Sequence, residues 1–172
     1  VAFNYLGKLG QLGNQMFQYA ATLGAARYHG VTFTIPDHNE VLVDALGNKL
    51  RIELFDCFDI QPDSIGVLDT GNVLAERGFE FNKTVFNLDS SVDFCLYGFF
   101  QTEKYFKNIE DEIRQDFTFK NEIALLCKHR MSEVDRPIAL HIRRGDFIKN
   151  SANHHNLGLD YYEKALENYD GR

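Results

Sequence analysis

Cysteine is scarce in this sequence. Its three residues, Cys57, Cys95 and Cys127, are odd in number, far apart and without a C-x-x-C pair. This pattern argues against a disulfide framework and against a zinc site built from paired cysteines. Because a free cysteine usually behaves as a small apolar side chain, we predict that all three are buried.

Long apolar runs and an excess of positive charge are absent as well. No apolar run reaches the roughly 18 residues that a membrane-spanning helix needs. The N-terminus lacks the pattern of a signal peptide, so the expected location is cytoplasmic. A net charge of −7 argues against nucleic-acid binding, which needs a basic face. With 172 residues, 44% hydrophobic and 25% charged, the chain is typical of one globular domain or slightly more.

Residues 1–35 predict a strand, a helix and a second strand. The segment VAFNYL (1–6) is apolar, and VTFTI (31–35) alternates with a period of two and stops at Pro36. Between them, small and apolar residues recur at helical spacing, and Gly30 is the predicted C-cap. We therefore predict an α/β fold with a Rossmann-like parallel sheet.

A glycine-rich turn, GKLGQLGN (7–14), joins the first predicted strand to the helix. Gly7, Gly10 and Gly13 would let the backbone approach a ligand, and a helix N-terminus suits a phosphate. The spacing matches neither the dinucleotide fingerprint nor the P-loop. A plain flexible turn before a helix N-cap at Asn14 is the alternative, and both interpretations stay open.

The rest of the chain predicts further alternation of strands and helices. VDFCLYGFF (92–100) predicts a buried strand over 92–97, and the helix that follows would bury Tyr105, Ile109 and Ile113. A second helix near 121–133 and a strand at 137–142 come next. The apolar residues that we expect to face inward on that second helix are Ile123, Leu126, Cys127 and Met131.

The segment HIRRGDF (141–147) follows the last predicted strand directly. In open α/β sheets ligands bind beyond the C-terminal ends of strands, and an arginine there can hold a phosphate through two parallel hydrogen bonds. A surface ion pair of Arg143 or Arg144 with Asp146 is an equally good interpretation. The Arg-Gly-Asp tripeptide also allows an adhesion motif, although it abuts an apolar strand rather than an exposed loop tip.

Four segments in this order resemble glycosyltransferase family 11, the α-1,2-fucosyltransferases. They are LGNQMFQYA (12–20), LYGFFQTEKYF (96–106), HIRRGDF (141–147) and LDYYEKALE (159–167). The resemblance implies an inverting transfer of fucose from GDP-fucose to a hydroxyl of an acceptor glycan, commonly the 2-OH of galactose. It also implies a two-domain GT-B fold, no metal and no other cofactor, and leaves open peripheral contact with a membrane where glycans are assembled.

The family's arginine signature falls on His141, Arg143, Arg144 and Asp146. The resemblance implies that Arg143 contacts the donor phosphates and that Arg144 is a second cation or a structural support. All four are candidates for donor binding, and the two arginines are the candidates for catalysis.

The N-terminal family motif falls on Gly13, Asn14 and Gln15, which the resemblance implies bind the donor as well. Gln11 departs from the glycine or arginine that the family often has there. A general base does not emerge from the motifs, since Glu103, Asp146 and His155 qualify by residue type only.

The resemblance further implies that the chain is the N-terminal part of a longer protein and is inactive alone. Residues 1–135 would form an acceptor-side α/β domain, and 136–172 would begin the donor domain. Two other functions stay open, namely a non-catalytic module that binds a glycan or a partner, and an unrelated nucleotide-binding protein.

Overall fold

A computed structural model describes residues 1–43, 49–149, 151–152 and 155–169. It divides into two compact units, Val1–Ala124 and Leu125–Arg172. The assignment of an acceptor-side and a donor-side domain, with a division after residue 135, stays a prediction.

A parallel sheet organises the first unit. Strand β1 (Thr34–Ile35) pairs with β4 (Ser64–Ile65), and β5 (Val73–Ala75) pairs with β6 (Cys95–Tyr97), both in parallel. Ala2 joins the two halves through parallel bridges to Thr34 and Cys95. The order across the sheet is therefore β4, β1, the segment 1–3, β6 and β5, which confirms the predicted mixed α/β class with parallel pairing.

The strands are shorter than predicted. The expected strand at 1–6 pairs only around residues 1–3, where Phe3 donates to the Thr34 carbonyl at 3.2 Å and Leu96 donates to the Ala2 carbonyl at 2.9 Å. Residues 4–8 then form a turn. The prediction of 31–35 shortens to Thr34–Ile35, and that of 92–97 to Cys95–Tyr97. Apolar patterning thus located these three segments, whereas their ends depend on the neighbouring strand, and it did not predict β4 or β5.

Helix α1 (Leu12–His29) lies at the centre of the first unit. Tyr19, Ala20, Leu23 and further residues of the helix join Phe3 and Leu96 of the sheet in one apolar core. Gly30 ends the helix in the left-handed conformation with φ 66°, as predicted. The predicted N-cap is wrong, because the helix begins before Asn14 and its N-cap is Gln11, whose side chain makes no capping bond.

Short elements cover the rest of the core. They are an exposed antiparallel pair, β2 (Leu42–Val43) with β3 (Lys49–Leu50), helix α2 (Leu54–Cys57) and a 3-10 turn (Lys83–Phe86). The helix predicted to follow β6 is broken into 3-10 turns (Glu103–Tyr105 and Lys107–Ile109) before α3 (Glu110–Asp116). At this break the backbone of Tyr105 and Phe106 packs against α1 at Gly24.

Helix α4 (Asn121–Met131) leads into the second unit, which contains α5 (Asp146–Lys149), α6 (Leu159–Leu166) and a 3-10 turn (Glu167–Tyr169). The predicted strand at 137–142 is wrong, since these residues form no ladder. A strand needs a hydrogen-bonding neighbour, and the described part of the second unit contains no other strand.

Two burial predictions also need correction. Cys95 is buried, but Cys57 is half-buried and Cys127 is exposed. On α4, Leu126 and Met131 are about half exposed at 51% and 49%, so the predicted apolar stripe is not buried. Ile123 is half-buried, and no residue of α4 is fully buried. Within the described ranges no helix is both long and apolar enough to cross a membrane.

Candidate functional site

Two loops meet at the C-terminal end of the parallel sheet in the first unit, where α/β folds commonly bind ligands. One is the turn 4–11, which follows the segment 1–3 and includes Gly7 and Gly10, and the other is the loop 98–102 after β6. Gln18, which is fully buried on α1, donates its amide to the Leu9 carbonyl at 2.8 Å and to the Gly98 carbonyl at 3.1 Å. One side chain therefore fixes both loops.

Glycine is required in the turn for reasons of packing. Gly7 and Gly10 both have a φ of 84°, in the left-handed region. A Cβ on Gly7 would lie 2.7 Å from the backbone carbon of Arg51, and one on Gly10 would collide with the side chain of Asn14. The turn therefore needs these two glycines even without a ligand. Gly13, in contrast, is exposed and has open space around it.

The N-terminus of α1 already carries a carboxylate. Glu53 accepts a hydrogen bond from the backbone N–H of Leu12 at 2.7 Å. Gln15 is buried, donates to the Arg51 carbonyl at 3.1 Å and accepts from the backbone N–H of Glu53 at 2.7 Å. Since Glu53 supplies the negative charge that a helix N-terminus favours, a phosphate there would meet a like charge. Gln15 shapes the turn, and its contact with a donor stays a prediction.

Two amide side chains meet at the surface of this region. The Gln101 amide donates to the Asn14 side-chain oxygen at 2.7 Å, which connects helix α1 to the loop after β6. An amide offers both donors and acceptors, as a sugar hydroxyl does. We refer to Asn14 and Gln101 below as the amide pair.

The backbone just before Gln101 is strained. Phe100 is 1% exposed and has a φ of 52°, and Gly98 has a φ of 152°. The carboxylate of Glu76, at the end of β5, accepts from the backbone N–H groups of Phe99 at 2.8 Å and Phe100 at 3.0 Å. Sequence reasoning missed Glu76, because a single glutamate after a short strand carries no motif.

The arginine motif lies in the second unit. His141, Arg143 and Arg144 are exposed, and Gly145 turns the chain with a φ of 68° before α5. The Arg143 guanidinium carbon lies 4.4 Å from the centroid of the Phe147 ring, a cation–π contact. Asp146 opens α5, and its side chain lies outside what the structure describes. Its pairing with either arginine therefore stays a prediction.

The candidate residues fall into two groups. Gly13, Asn14 and Gln15 lie in the first unit, and His141, Arg143 and Arg144 in the second. Within each group the residues are neighbours in the sequence. The role of each group in donor binding stays a prediction. Of the base candidates, Glu103 and His155 are both exposed.

A metal site does not emerge from the side chains that the structure describes. Among them, no group of three or more His, Cys, Asp or Glu residues is arranged to hold a metal ion. Transfer without a metal remains a prediction from the resemblance.

Comparison with known proteins gives a family. The family model described as "Glycosyl transferase family 11" matches residues 4–172. In an alignment 200 residues long, the chain is 28% identical to the "O-antigen biosynthesis glycosyltransferase WbnK" of Escherichia coli. This match covers 91% of the chain and 65% of the relative, so the chain spans about two thirds of the length of that protein. No solved structure matches the chain.

Proposed function

Because this chain belongs to glycosyl transferase family 11, we propose that it forms part of a glycosyltransferase that moves fucose from GDP-fucose to an acceptor glycan. The acceptor group is a hydroxyl, the 2-OH of galactose, and the product is an α-1,2 linkage formed with inversion. The observation that carries the proposal is the family match over residues 4–172, which includes all four of the sequence motifs. The E. coli relative, named for O-antigen biosynthesis, is consistent with a glycan acceptor.

The donor side of the proposed reaction needs positive charge. As the bond between fucose and phosphate breaks, the sugar carbon becomes cation-like and negative charge builds on the GDP β-phosphate. Fixed hydrogen-bond donors aimed at that charge lower the barrier. In this proposal Arg143 holds the phosphate, Arg144 is the second cation, and His141 and Asp146 complete the donor motif. No metal takes part.

The contact with Phe147 supports this role of Arg143. The guanidinium carbon lies 4.4 Å from the ring centroid, and this contact restricts the orientation of the guanidinium. A planar guanidinium can then form two parallel hydrogen bonds with a phosphate, a geometry that the lysine ammonium cannot reproduce.

The proposed architecture is GT-B, with the first unit on the acceptor side. The parallel sheet and the loops at its C-terminal end support this, because they form a ligand-binding edge of the Rossmann type. The carboxylate of Glu53 on the N-terminus of α1 favours an uncharged ligand there over a phosphate. We therefore place the acceptor, rather than the donor phosphates, near Asn14.

Substitution of the arginines tests the proposal. In the full-length protein, Arg143→Lys should lose fucose transfer to lactose almost as severely as Arg143→Ala, by about 100- to 1000-fold, because the two-bond grip is lost. Transfer is measured as release of GDP, and GDP affinity is measured by calorimetry.

Arg130→Lys, at an exposed position on α4, is the matched control and should keep both fucose transfer and GDP affinity. Arg144→Lys should be milder than Arg143→Lys if Arg144 mainly supports the loop. Near-full activity of Arg143→Lys would show that the phosphate assignment is wrong. Absence of transfer by the wild-type protein would refute the proposed reaction itself.

A further inference from the structure

The turn at residues 98–100 is held in an unfavourable conformation from several sides. Phe100 is buried and has a φ of 52°, in the left-handed region that residues other than glycine rarely adopt. Such a conformation persists only where the surroundings enforce it, and it is enriched at functional sites. Here Gln18 holds the Gly98 carbonyl, and Glu76 holds the next two N–H groups.

Glu76 is committed to this turn. One carboxylate oxygen accepts both backbone hydrogen bonds, at 2.8 and 3.0 Å. The other oxygen is buried and makes no hydrogen bond to any group that the structure describes. Burying part of a carboxylate is costly, and charge-assisted hydrogen bonds offset that cost. Gly98 belongs to the same arrangement, since a Cβ there would lie 2.5 Å from the Cβ of Glu76.

The shape of the turn determines where Gln101 lies. Gln101 directly follows the strained Phe100, and its amide meets Asn14 at 2.7 Å. If the turn relaxed, the Gln101 side chain would leave that position and the amide pair would separate. Glu76 therefore affects the position of the amide pair through the backbone of 99–100 rather than by contacting Asn14 or Gln101.

We propose that Glu76 is a positioning residue that holds the amide pair, Asn14 and Gln101, in place to bind an uncharged sugar of the acceptor. The inference rests on the proposed function and specifies its acceptor site. Two amides match the mixed donor and acceptor character of sugar hydroxyls. The carboxylates of Glu53 and Glu76 near this edge disfavour an anionic ligand.

Hydrogen exchange on this chain tests the structural step. Glu76→Ala should speed amide exchange at Phe99 and Phe100 by about tenfold or more, the effect of losing a charge-assisted hydrogen bond. Glu76→Gln keeps an acceptor oxygen and should retain part of the protection. The Leu96 amide, bonded to the Ala2 carbonyl, should be unchanged. Unchanged exchange at Phe99 and Phe100 would overturn the inference.

Lactose binding tests the functional step, measured by NMR titration of the full-length protein. Glu76→Ala should weaken lactose binding about tenfold or more, Glu76→Gln should restore part of it, and GDP affinity should stay the same. Glu80→Ala, an exposed glutamate four residues on, removes the same charge and should have no effect.

Each further outcome decides one of the two claims. Lactose binding that is absent in the wild type, or unchanged in Glu76→Ala, overturns the inference even if fucose transfer occurs. Parallel loss of lactose and GDP binding would indicate general unfolding and also overturns it. Normal lactose binding that depends on Glu76, without any transfer, supports the inference as a binding site and refutes only the proposed reaction.

Discussion

At the scale of single residues, two glycines of helix α1 have opposite surroundings. A Cβ on Gly24 would lie 2.2 Å from the carbonyl oxygen of Tyr105, so the helix touches another backbone there. A Cβ on Gly13 would have nothing within 4 Å. The same substitution should therefore have opposite effects at the two positions.

Gly24→Ala should destabilise the protein by about 1–3 kcal/mol, because the carbonyl of Tyr105 must move. Gly13→Ala should stabilise it by about 0.5–1 kcal/mol, because alanine loses less conformational entropy than glycine in a helix. Urea denaturation measures both free energies of unfolding. A neutral Gly24→Ala would mean that α1 and the turn at Tyr105 can separate without cost.

At the scale of elements, polar and charged side chains attach helix α1 to its neighbours. Arg27 pairs with Asp63, just before β4, at 2.7 Å and with Glu112 of α3 at 2.9 Å. Tyr19 donates to Asp116 at the end of α3, also at 2.7 Å. The Arg27 hydrogen bond lowers the pKa of Asp63, whereas burial raises the pKa of Asp116. The two carboxylates should therefore respond to pH in opposite directions.

The stabilisation from Asp63 should be present above the ordinary aspartate pKa of about 3.9 and lost as the pH falls through its lowered folded value. Asp116 should have the opposite effect on stability. The folded protein binds a proton at Asp116 more tightly than the unfolded chain does, so stability falls as the pH rises through the raised pKa of Asp116.

Relative to wild type, Asp63→Asn should lose stability as the pH rises, and Asp116→Asn should gain it. Urea denaturation from about pH 3 to about pH 7 checks the signs. Differences of the same sign in both variants would contradict the assignment.

Helix α1 also shows what the sequence could predict. Its helical spacing and its Gly30 cap follow from a residue pattern and a single glycine, both local in sequence. Its N-terminal partner did not emerge, because Glu53 lies 41 residues from Leu12 and only the folded chain brings it near. Three of the four predicted strands were placed but overextended, since their ends depend on pairing across the sheet, and the fourth, at 137–142, does not form.

The candidate site divides in the same way. Motif resemblance made Asn14 and Arg143 candidates for donor binding, and one of its motifs, 96–106, includes Gln101. It could not identify Glu76, which acts through backbone N–H groups that any residue possesses. Nor could it indicate that Phe147 packs on Arg143, because such a contact depends on the turn at Gly145.

At the scale of the whole molecule, the two units differ in how much apolar surface they bury. The apolar core of buried residues runs from Val1 to Ile113 and belongs entirely to the first unit. In the described part of the second unit, Tyr162 is the one buried apolar side chain, while Leu140, Ile148 and Leu159 are exposed. Stability should therefore be concentrated in the first unit.

Hydrogen exchange followed by mass spectrometry should show this difference. Peptides from α1 and β6 should exchange slowest, and peptides covering 133–144 should exchange close to the rate of an unfolded chain, since these residues form no strand. Protection over 137–142 equal to that of β6 would show that the strand predicted from the sequence does form.

The central position of the segment 1–3 has a consequence for folding kinetics. Its two neighbours in the sheet are Thr34, 32 residues after Ala2, and Cys95, 93 residues after it. During synthesis the segment 1–3 emerges before both of these neighbours and can at first pair on one side only, and the second side stays open until β6 leaves the ribosome. Contacts so distant in sequence raise the contact order and slow folding. An unpaired apolar strand edge exposed for that interval is where association with another nascent chain would begin.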